Sequence, residues 1–323
     1  MLYAKRDAKE FASTRLKGVW GSTVTPFTQD LALDENGFRE NLRVCVEDLK
    51  FPGILVTGKH GEFFSMTVEE RKRTFELAME VMRGKSAAAM SCWDMNLDTT
   101  IELLRHAQRV GAEFATVLNP VMYFGSNTDE AVYEYFRHLS EQVDIGIILW
   151  NNDGQGYSMS LNVCQRLAQL PNIVGIKDAV DKEHYTQLTH AIGERFPVSH
   201  PSEKNWLENM DTLDWKLHYA SVEAVAMQTP GDCRVMEYTD LFMAGDTVRA
   251  RRIRDSLEPV REALRSSRVA GKLTAHYKYW FELSGLAGGP VRRPLLPLTE
   301  QEKAKIREAY TTCGLGKPVS LAA

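Results

Sequence analysis

The cysteines of this 323-residue chain lack the spacing that a disulfide framework or a zinc site would need. They are five in number and lie far apart, at Cys45, Cys92, Cys164, Cys233 and Cys313. No C-x-x-C pair occurs, and no histidine stands close to a cysteine in the sequence. We therefore expect neither disulfides nor a bound metal, and a reducing, cytoplasmic location fits best.

The chain also lacks an excess of positive charge. Its 39 basic and 43 acidic residues give a net charge of -4, which offers no basic surface for nucleic acid or for a membrane. Residues 1–16 mix both charges without an apolar core, so they resemble neither a signal peptide nor a membrane span. We expect them to form an extra helix or a loose arm, and we expect a small molecule as the partner.

Short apolar runs recur through the first two thirds of the sequence. Their spacing is roughly 25 to 35 residues, the length of a strand, a helix and two loops. The runs are residues 19–24, 53–56, 87–90, 114–118, 145–150, 173–176, 197–199 and 220–227. This alternation predicts an α/β fold, a (β/α)8 TIM barrel, over residues 17–229. A doubly wound open sheet is the weaker alternative, because no Gly-rich phosphate motif follows any run.

Amphipathic segments lie between and after the apolar runs. Residues 99–110 and 130–143 carry apolar side chains at helical spacing. Helix starts are indicated at Asp34, Thr67, Ser160 and Thr299. After the barrel, residues 230–323 predict a C-terminal helical region, with helices at 235–265, 271–286 and 299–310.

A single lysine ends the sixth apolar run. Lys177 follows Asn172-Ile-Val-Gly-Ile, whose β-branched residues predict a buried strand. A lysine at the end of a buried strand, where water is excluded, loses the hydration of its ammonium form. Its pKa therefore falls, and a nucleophilic amine becomes available near neutral pH. Such an amine condenses with a ketone to form a Schiff base. The alternative is that Lys177 merely marks the return of the chain to solvent.

Polar residues follow most of the predicted strands. In a barrel of this type the reacting groups lie at the carboxyl ends of the strands, so these positions are the candidates for a site. They are Ser22, Thr23, Thr25, residues 58–62, Asp94, Asn96, Asn119, residues 151–153, Lys177, Asp178 and residues 202–204.

Five motifs occur in an order that is typical of one superfamily. They are Leu16-Lys-Gly-Val-Trp, Thr25-Pro-Phe, Gly58-x-x-Gly-Glu62, Asn172-Ile-Val-Gly-Ile-Lys-Asp178 and Val291-Arg-x-Pro-Leu295. Over roughly residues 16–312 the chain resembles the dihydrodipicolinate synthase and N-acetylneuraminate lyase superfamily. The resemblance implies a homotetramer, or dimer of dimers, in which Lys177 forms an imine with pyruvate or another 2-keto acid. The imine is the electron sink, so no metal or organic cofactor is expected.

Two positions depart from the branch of the superfamily that fits best. Residues 58–65, Gly-Lys-His-Gly-Glu-Phe-Phe-Ser, are similar to the 5-dehydro-4-deoxyglucarate dehydratases, and residues 150–153 are similar to their Tyr-Asn-Arg-Asp. Trp150 stands at the position of the tyrosine that relays protons, and an indole does not titrate. Asn152 replaces the arginine, so a bidentate clamp for a distal carboxylate is missing.

Other side chains are candidates for the missing functions. Lys59 and His60 stand where many relatives carry two hydroxylated residues that hold the pyruvyl carboxylate. We expect Lys59 to bind a carboxylate and His60 to relay protons, against the alternatives of a solvated lysine and a packed imidazole. Tyr157 and Tyr123 are the remaining phenols near strand ends, and packing is the alternative for both.

The predicted site is catalytic at Lys177, His60 and Trp150. Its substrate-binding residues are Lys59, Gly61, Glu62, Thr25, Asn151, Asn152 and Asp178. Glu62 has the alternative role of fixing its own loop. Trp93 and Trp150 suggest an apolar wall, and hence a substrate with an apolar or aromatic portion.

We interpret the chain as a Schiff-base lyase, an aldolase or a dehydratase, that acts on a 2-keto acid. Dehydration or aldol cleavage is preferred to 4-hydroxy-tetrahydrodipicolinate synthesis. The reason is that aspartate semialdehyde brings a carboxylate, while the family's arginine aligns near Gln155 or Asn152, neither of which is charged. That synthase, a deaminating relative and a keto-acid-binding barrel with weakened catalysis remain the alternatives.

Overall fold

The computed structural model describes residues 2–120, 128–155 and 157–315, and eight strands form one sheet in this part of the chain. The strands are β1 Gly18–Ser22, β2 Gly53–Val56, β3 Ala87–Ser91, β4 Phe114–Leu118, β5 Gly146–Asn152, β6 Ile173–Ala179, β7 Val198–Ser199 and β8 Leu217–Tyr219. Most strand residues are buried, which is typical of a parallel sheet covered by helices.

The strands are neighbours in the order β7-β6-β5-β4-β3-β2-β1-β8. The pairs β1–β8, β3–β4, β4–β5, β5–β6 and β6–β7 are parallel. At the two ends of this order, the backbone N–H of Tyr219 in β8 donates to Ser199 Oγ of β7 at 2.6 Å, so the sheet comes back on itself. The predicted (β/α)8 barrel is therefore confirmed.

Helices precede the first strand, separate the strands and follow the last one. They are α1 Ala8–Arg15, α2 Glu35–Arg43, α3 Val68–Met82, α4 Leu97–Val110, α5 Asp129–Gln142, α6 Leu161–Leu167, α7 Lys182–Ile192, α8 Trp206–Leu213, α9 Glu223–Ala226, α10 Arg234–Met243, α11 Thr247–Asp255, α12 Glu258–Ser266, α13 Leu273–Leu283 and α14 Glu300–Thr312. The predicted caps are confirmed: Thr67 and Thr299 form capping boxes, and Asp34 and Ser160 accept N–H groups of α2 and α6.

The chain divides into two compact units. The first unit comprises Met1–Trp20 and Ala87–Ala220, and the second comprises Gly21–Ser86 and Ser221–Ala323. The boundaries predicted after residues 16 and 229 stay a prediction. In the first unit, Tyr3 stacks on Phe11 of α1 and accepts a hydrogen bond from the N–H of Gly146 at 2.8 Å. In the second, Trp280 of α13 donates to the carbonyl of Ala226 in α9 at 2.9 Å.

The eighth strand is the main error of the sequence-based prediction. The apolar run 220–227 was expected to form it, but β8 is Leu217–Tyr219, and Glu223–Ala226 is the helix α9. The run contains three alanines, which favour a helix, whereas the true strand is three residues long and carries a histidine. No helix among the described residues is both long and apolar enough to cross a membrane.

Candidate active site

Lys177 lies near the carboxyl end of β6 and is 4% exposed. Its Nζ donates to the carbonyl oxygen of Ala220, directly after β8, at 3.0 Å. No carboxylate in the described part of the chain forms an ion pair with it. Lys177 is therefore held by one neutral acceptor, which leaves its charge uncompensated.

Two aromatic rings flank the amine of Lys177 within the first unit. Trp150 is its register partner on β5, and the centre of the indole lies 5.6 Å from Nζ. The ring centre of Tyr219 on β8 lies 5.2 Å from the same atom. These rings favour the ammonium form through cation–π attraction, whereas they also exclude water, which favours the neutral amine.

Burial has a large effect on the amine. It lowers the pKa of Lys177 from 10.5 to about 7. The free amine is then far more populated at neutral pH than it is for an exposed lysine. A neutral amine with an available lone pair is the nucleophile that attacks a carbonyl carbon.

Two groups beside Lys177 have hydrogen-bonding capacity that no described residue uses. The indole Nε1 of Trp150 is buried without a hydrogen-bond partner in the described ranges. The hydroxyl of Tyr219 is 2.6 Å from Thr116 Oγ1 of β4, and either oxygen is able to donate. Sequence reasoning missed Tyr219 and Thr116, because Tyr219 lies before the run taken as the eighth strand and Thr116 lies inside an apolar run.

Asn151 and Asp178 form a structural network on the other face of the same strands. They are register partners one position beyond Trp150 and Lys177, so their side chains point to the opposite side of the sheet. Asn151 Nδ2 donates to Asp178 Oδ1 at 2.7 Å, and Asn151 Oδ1 accepts from the N–H of Met159 at 2.8 Å. The structure favours this role over the substrate contact that the sequence predicted for both residues.

His184 of α7 completes this network. Its Nδ1 lies 2.7 Å from Asp178 Oδ2, and its Nε2 lies 2.9 Å from the carbonyl of Met159. Both neighbours are acceptors, so both ring nitrogens act as donors in the protonated form. The hydrogen bond to Asp178 is the largest cause of a raised pKa of His184.

The residues after Asn151 do not supply a replacement tyrosine. Asn152 Oδ1 accepts from the N–H of Gly154 at 3.1 Å, within its own turn. The hydroxyl of Tyr157 donates to Asp129 Oδ1 at 2.6 Å, and burial followed by this carboxylate raises its pKa. The hydroxyl of Tyr157 is therefore engaged by a carboxylate, and Tyr123 lies outside the described residues.

In the second unit, Thr25 and Gly61 are neighbours. A Cβ added to Gly61 would lie 3.2 Å from Thr25 Oγ1 and 3.9 Å from the Cβ of Thr57. The hydroxyls of Thr25 and Thr57 are buried and have no hydrogen-bond partner within the described ranges. Thr57 also has a positive φ of 52°, which is unusual for a β-branched residue. Two buried hydroxyls without acceptors fit the ligand-binding role predicted for Thr25.

Lys59 and His60 belong to a short 3-10 segment, Lys59–Gly61, of the second unit. Lys59 is exposed, whereas His60 is half-buried. The His60 ring packs edge-on against Tyr277 of α13, with ring centres 5.1 Å apart. A carboxylate contact of Lys59 and a proton relay at His60 both stay predictions.

The carboxyl group of Glu62 is buried and contacts α13. Its Oε1 lies 2.5 Å from Nζ of Lys278 in α13, and both side chains are almost fully buried, at 0% and 1% exposure. Its Oε2 accepts the backbone N–H of Arg292 at 3.1 Å. Burial lowers the pKa of Lys278 to about 8, although Glu62 opposes the shift. The structure thus favours the loop-fixing alternative for Glu62 over the predicted substrate contact.

No set of three or more histidine, cysteine, aspartate or glutamate side chains in the described ranges is arranged to hold a metal ion. Asp178 and His184 pair with each other, and Glu62 pairs with a lysine.

Comparison with known proteins assigns a family to this barrel. The model of the dihydrodipicolinate synthetase family matches residues 15–312. A 4-hydroxy-tetrahydrodipicolinate synthase of Methanothrix thermoacetophila is 29% identical over 304 residues, which cover 91% of this chain and 96% of that relative. The structure of a dihydrodipicolinate synthase from Aquifex aeolicus superposes with a TM-score of 0.82 at 24% identity, covering 94% and 100% of the two chains. An N-acetylneuraminate lyase from Mycoplasma synoviae gives a TM-score of 0.78 at 20% identity, covering 92% and 97%.

Proposed function

The chain belongs to the dihydrodipicolinate synthetase family, and from this premise we propose that it joins a 2-keto acid to Lys177 as an imine. Membership confirms the predicted class, a Schiff-base lyase, and the predicted superfamily. The observation that carries the proposal is the buried amine of Lys177, whose pKa falls to about 7.

The chemistry follows from a free amine at the end of β6. The lone pair of Nζ forms a bond to the keto carbon, and the carbonyl π pair moves to oxygen. A proton moves from nitrogen to that oxygen. The nitrogen lone pair then forms the C=N bond while the C–O bond breaks, and the oxygen leaves as water with a second proton taken from solvent. The resulting protonated imine withdraws electrons from the neighbouring carbon, so a bond to that carbon breaks or forms more easily.

The groups beside Lys177 match an oxygen-rich ligand. The Trp150 indole N–H has no acceptor in the described part of the chain. Tyr219 and Thr116 share one hydrogen bond, so one of their two hydroxyl protons also lacks an acceptor there. A 2-keto acid brings a carbonyl and a carboxylate, which are acceptors for such donors. A buried donor costs free energy until an acceptor reaches it, so these donors favour a bound oxygen.

Among the reactions open to this imine, we favour dehydration or aldol cleavage of a substrate with an apolar or aromatic portion. Asn152 is neutral and bonded within its own turn, so it supplies no cation for a second carboxylate. Trp150 presents an indole in place of a phenol beside the amine. The nearness to 5-dehydro-4-deoxyglucarate dehydratases stays part of this proposal, as do contacts of Lys59, His60 and Thr25 with substrate.

A second candidate is 4-hydroxy-tetrahydrodipicolinate synthesis, which the names of several relatives favour. A panel that pairs pyruvate with aspartate semialdehyde, and tests aromatic and dicarboxylic keto acids for cleavage or dehydration, separates the two. Efficient condensation with the semialdehyde, or a clear preference for dicarboxylic sugar acids, contradicts the favoured substrate class. Release of ammonia from a cyclic imino acid would support the deaminating alternative.

Borohydride trapping tests the imine directly. The protein is incubated with pyruvate or another 2-keto acid, reduced, and digested for mass mapping. We expect one adduct, on Lys177, and none in Lys177→Met. Lys278 is the internal control, because it is buried as deeply but is paired with Glu62. Failure of the whole panel to label Lys177 overturns the proposed function.

Because the imine is itself the electron sink, we propose that the reaction needs no metal or organic cofactor, and activity should survive prolonged dialysis against a chelator. We also propose a homotetramer or a dimer of dimers, on the resemblance to the family. Sedimentation equilibrium tests this, and a monomer at micromolar concentration contradicts it.

A further inference from the structure

Resting on the imine proposed above, we propose that the hydroxyl pair of Tyr219 and Thr116 moves the protons of this reaction in place of the strand-five tyrosine that Trp150 replaces. Both residues are then catalytic, because each oxygen of the pair exchanges a proton with the substrate. The phenol comes from β8 and its partner from β4, at positions that the sequence did not indicate.

The ring of Tyr219 lies close to the reacting atom. Its ring centre lies 5.2 Å from Nζ of Lys177, and the next residue along the chain, Ala220, accepts the hydrogen bond of that amine. The backbone N–H of Tyr219 is bonded to Ser199 Oγ, and Ser199 is the register partner of Lys177. These bonds fix the phenol beside the amine.

One of the two hydroxyl protons of the pair is not used in the contact between its oxygens. Tyr219 and Thr116 each carry one O–H, and the 2.6 Å contact between their oxygens uses one of the two protons. Neither hydroxyl has another hydrogen-bond partner within the described ranges. Both side chains are almost fully buried, at 0% and 1% exposure, so water does not compensate. If Tyr219 donates to Thr116, the hydroxyl proton of Thr116 remains for a ligand, and if Thr116 donates, the proton of Tyr219 remains.

The pair passes a proton without a net change of its own. When the C–H bond beside the imine breaks, its electron pair forms the carbon–carbon double bond of an enamine, and the C=N π pair moves to nitrogen. The released proton goes to one oxygen of the pair, and one proton crosses between the oxygens. The enamine nitrogen then returns its pair to form C=N, the carbon–carbon pair forms a double bond to the next carbon, and the C–O bond there breaks with its pair on oxygen. The other oxygen of the pair gives its proton to that departing oxygen. In a dehydration that oxygen leaves as water, so two hydroxyls remain and no redox partner is involved.

Burial explains why the transfer has to be concerted. It raises the pKa of Tyr219, so a free phenolate is unfavourable in this site. A hydroxyl that accepts one proton while giving up another avoids that charge, and the partner oxygen of Thr116 makes this exchange possible. Trp150 cannot substitute, because its indole N–H donates a hydrogen bond but does not release its proton.

The test separates imine formation from proton transfer. Borohydride trapping reports the imine, and exchange of the pyruvate methyl protons in D2O, followed by NMR, reports proton removal from the neighbouring carbon. Because pyruvate has no departing oxygen, the pair here passes the released proton to solvent in the site and takes up a deuteron for the return step. We expect Tyr219→Phe, which keeps the ring, to retain the Lys177 adduct and to lose about 10²- to 10⁴-fold in exchange rate. Thr116→Val should lower the exchange rate as well, by less, with the adduct retained.

Control variants make the result specific. Tyr185→Phe removes a buried phenol in α7, whose oxygen is 3.5 Å from Asn209 Oδ1, and should leave exchange unchanged. His60→Ala tests the competing relay. Unchanged exchange in a folded Tyr219→Phe protein overturns this proposal, and so does loss of its adduct. Loss of exchange in His60→Ala alone would assign the relay to His60. A wild-type protein that forms no adduct instead removes the proposed function, and this inference with it.

Discussion

Lys177 and Trp150 are register partners on β6 and β5, and the indole centre lies 5.6 Å from the lysine nitrogen. The usual titrating neighbour is thus replaced by a side chain that excludes water without exchanging protons. Tyr219 adds a second ring at 5.2 Å. Burial therefore lowers the pKa of the Lys177 amine, and groups other than Trp150 have to act as the acid and the base.

The rate of adduct formation should rise with pH through about 7. The neutral amine is the nucleophile, and burial lowers the pKa of Lys177 from 10.5 to about 7. Below that pH the ammonium form dominates and trapping slows about tenfold per pH unit, whereas above it the rate levels off. Initial rates of pyruvate trapping between pH 5 and 9 measure this. A rate that continues to rise up to pH 10 would mean that Lys177 titrates like an exposed lysine.

Lys177→Met should make the protein more stable at pH 7. The unfolded lysine has a pKa of 10.5 and binds a proton more tightly than the native one, whose pKa is about 7. Native stability therefore rises by about 1.4 kcal/mol per pH unit between these values, and the advantage of Lys177→Met shrinks over the same window. Urea unfolding at pH 7, 8 and 9 tests this. Lys85→Met, at an exposed position, is the control and should show a constant difference.

Removing either partner of the ion pair between Lys278 and Glu62 should lower the free energy of unfolding strongly. Lys278→Met leaves the fully buried Glu62 without its cation, and we expect a loss of about 3–5 kcal/mol in the free energy of unfolding. Adding Glu62→Gln to that variant should restore part of the loss, because the amide removes the charge. Lys272→Met breaks the more exposed pair with Glu302 and should cost about 1 kcal/mol or less. Equal losses in both single variants would contradict a special role for the buried pair.

The sequence predicted most of the strands and the buried lysine because both depend on local patterns. The runs that became β2 and β4 match the structure to the residue, and Lys177 could be found from the apolar run that precedes it within β6. The directions of the neighbouring side chains were harder to infer. Asn151 and Asp178 lie beside Trp150 and Lys177 in sequence, yet strand alternation turns them to the opposite face.

The residues that sequence reasoning missed depend on long-range packing. Tyr219 and Thr116 are 103 residues apart and meet only when β8 and β4 belong to one closed sheet. The role of Glu62 likewise depends on Lys278 of α13, far along the chain. Neither contact leaves a periodic pattern in the sequence.

His218 should make the protein sensitive to acid. It lies on β8 with its ring stacked on Trp206, and burial lowers its pKa from 6.5 to about 3, with the charges of His200 and Lys177 acting in the same direction. Below pH 6.5 the unfolded histidine binds a proton that the native one does not, so native stability is fully present above pH 6.5 and falls by about 1.4 kcal/mol per pH unit towards pH 3. His276, whose pKa falls to about 4, adds a similar slope over a narrower window.

His218→Phe keeps an aromatic ring against Trp206 and removes the titrating group, so its stability should fall less steeply than that of the wild type between pH 6.5 and 4.5. Urea unfolding across this range measures the slope, and His190→Phe at an exposed position should leave it unchanged. Parallel slopes for the wild type and His218→Phe would show that His218 reaches solvent and titrates in the native state.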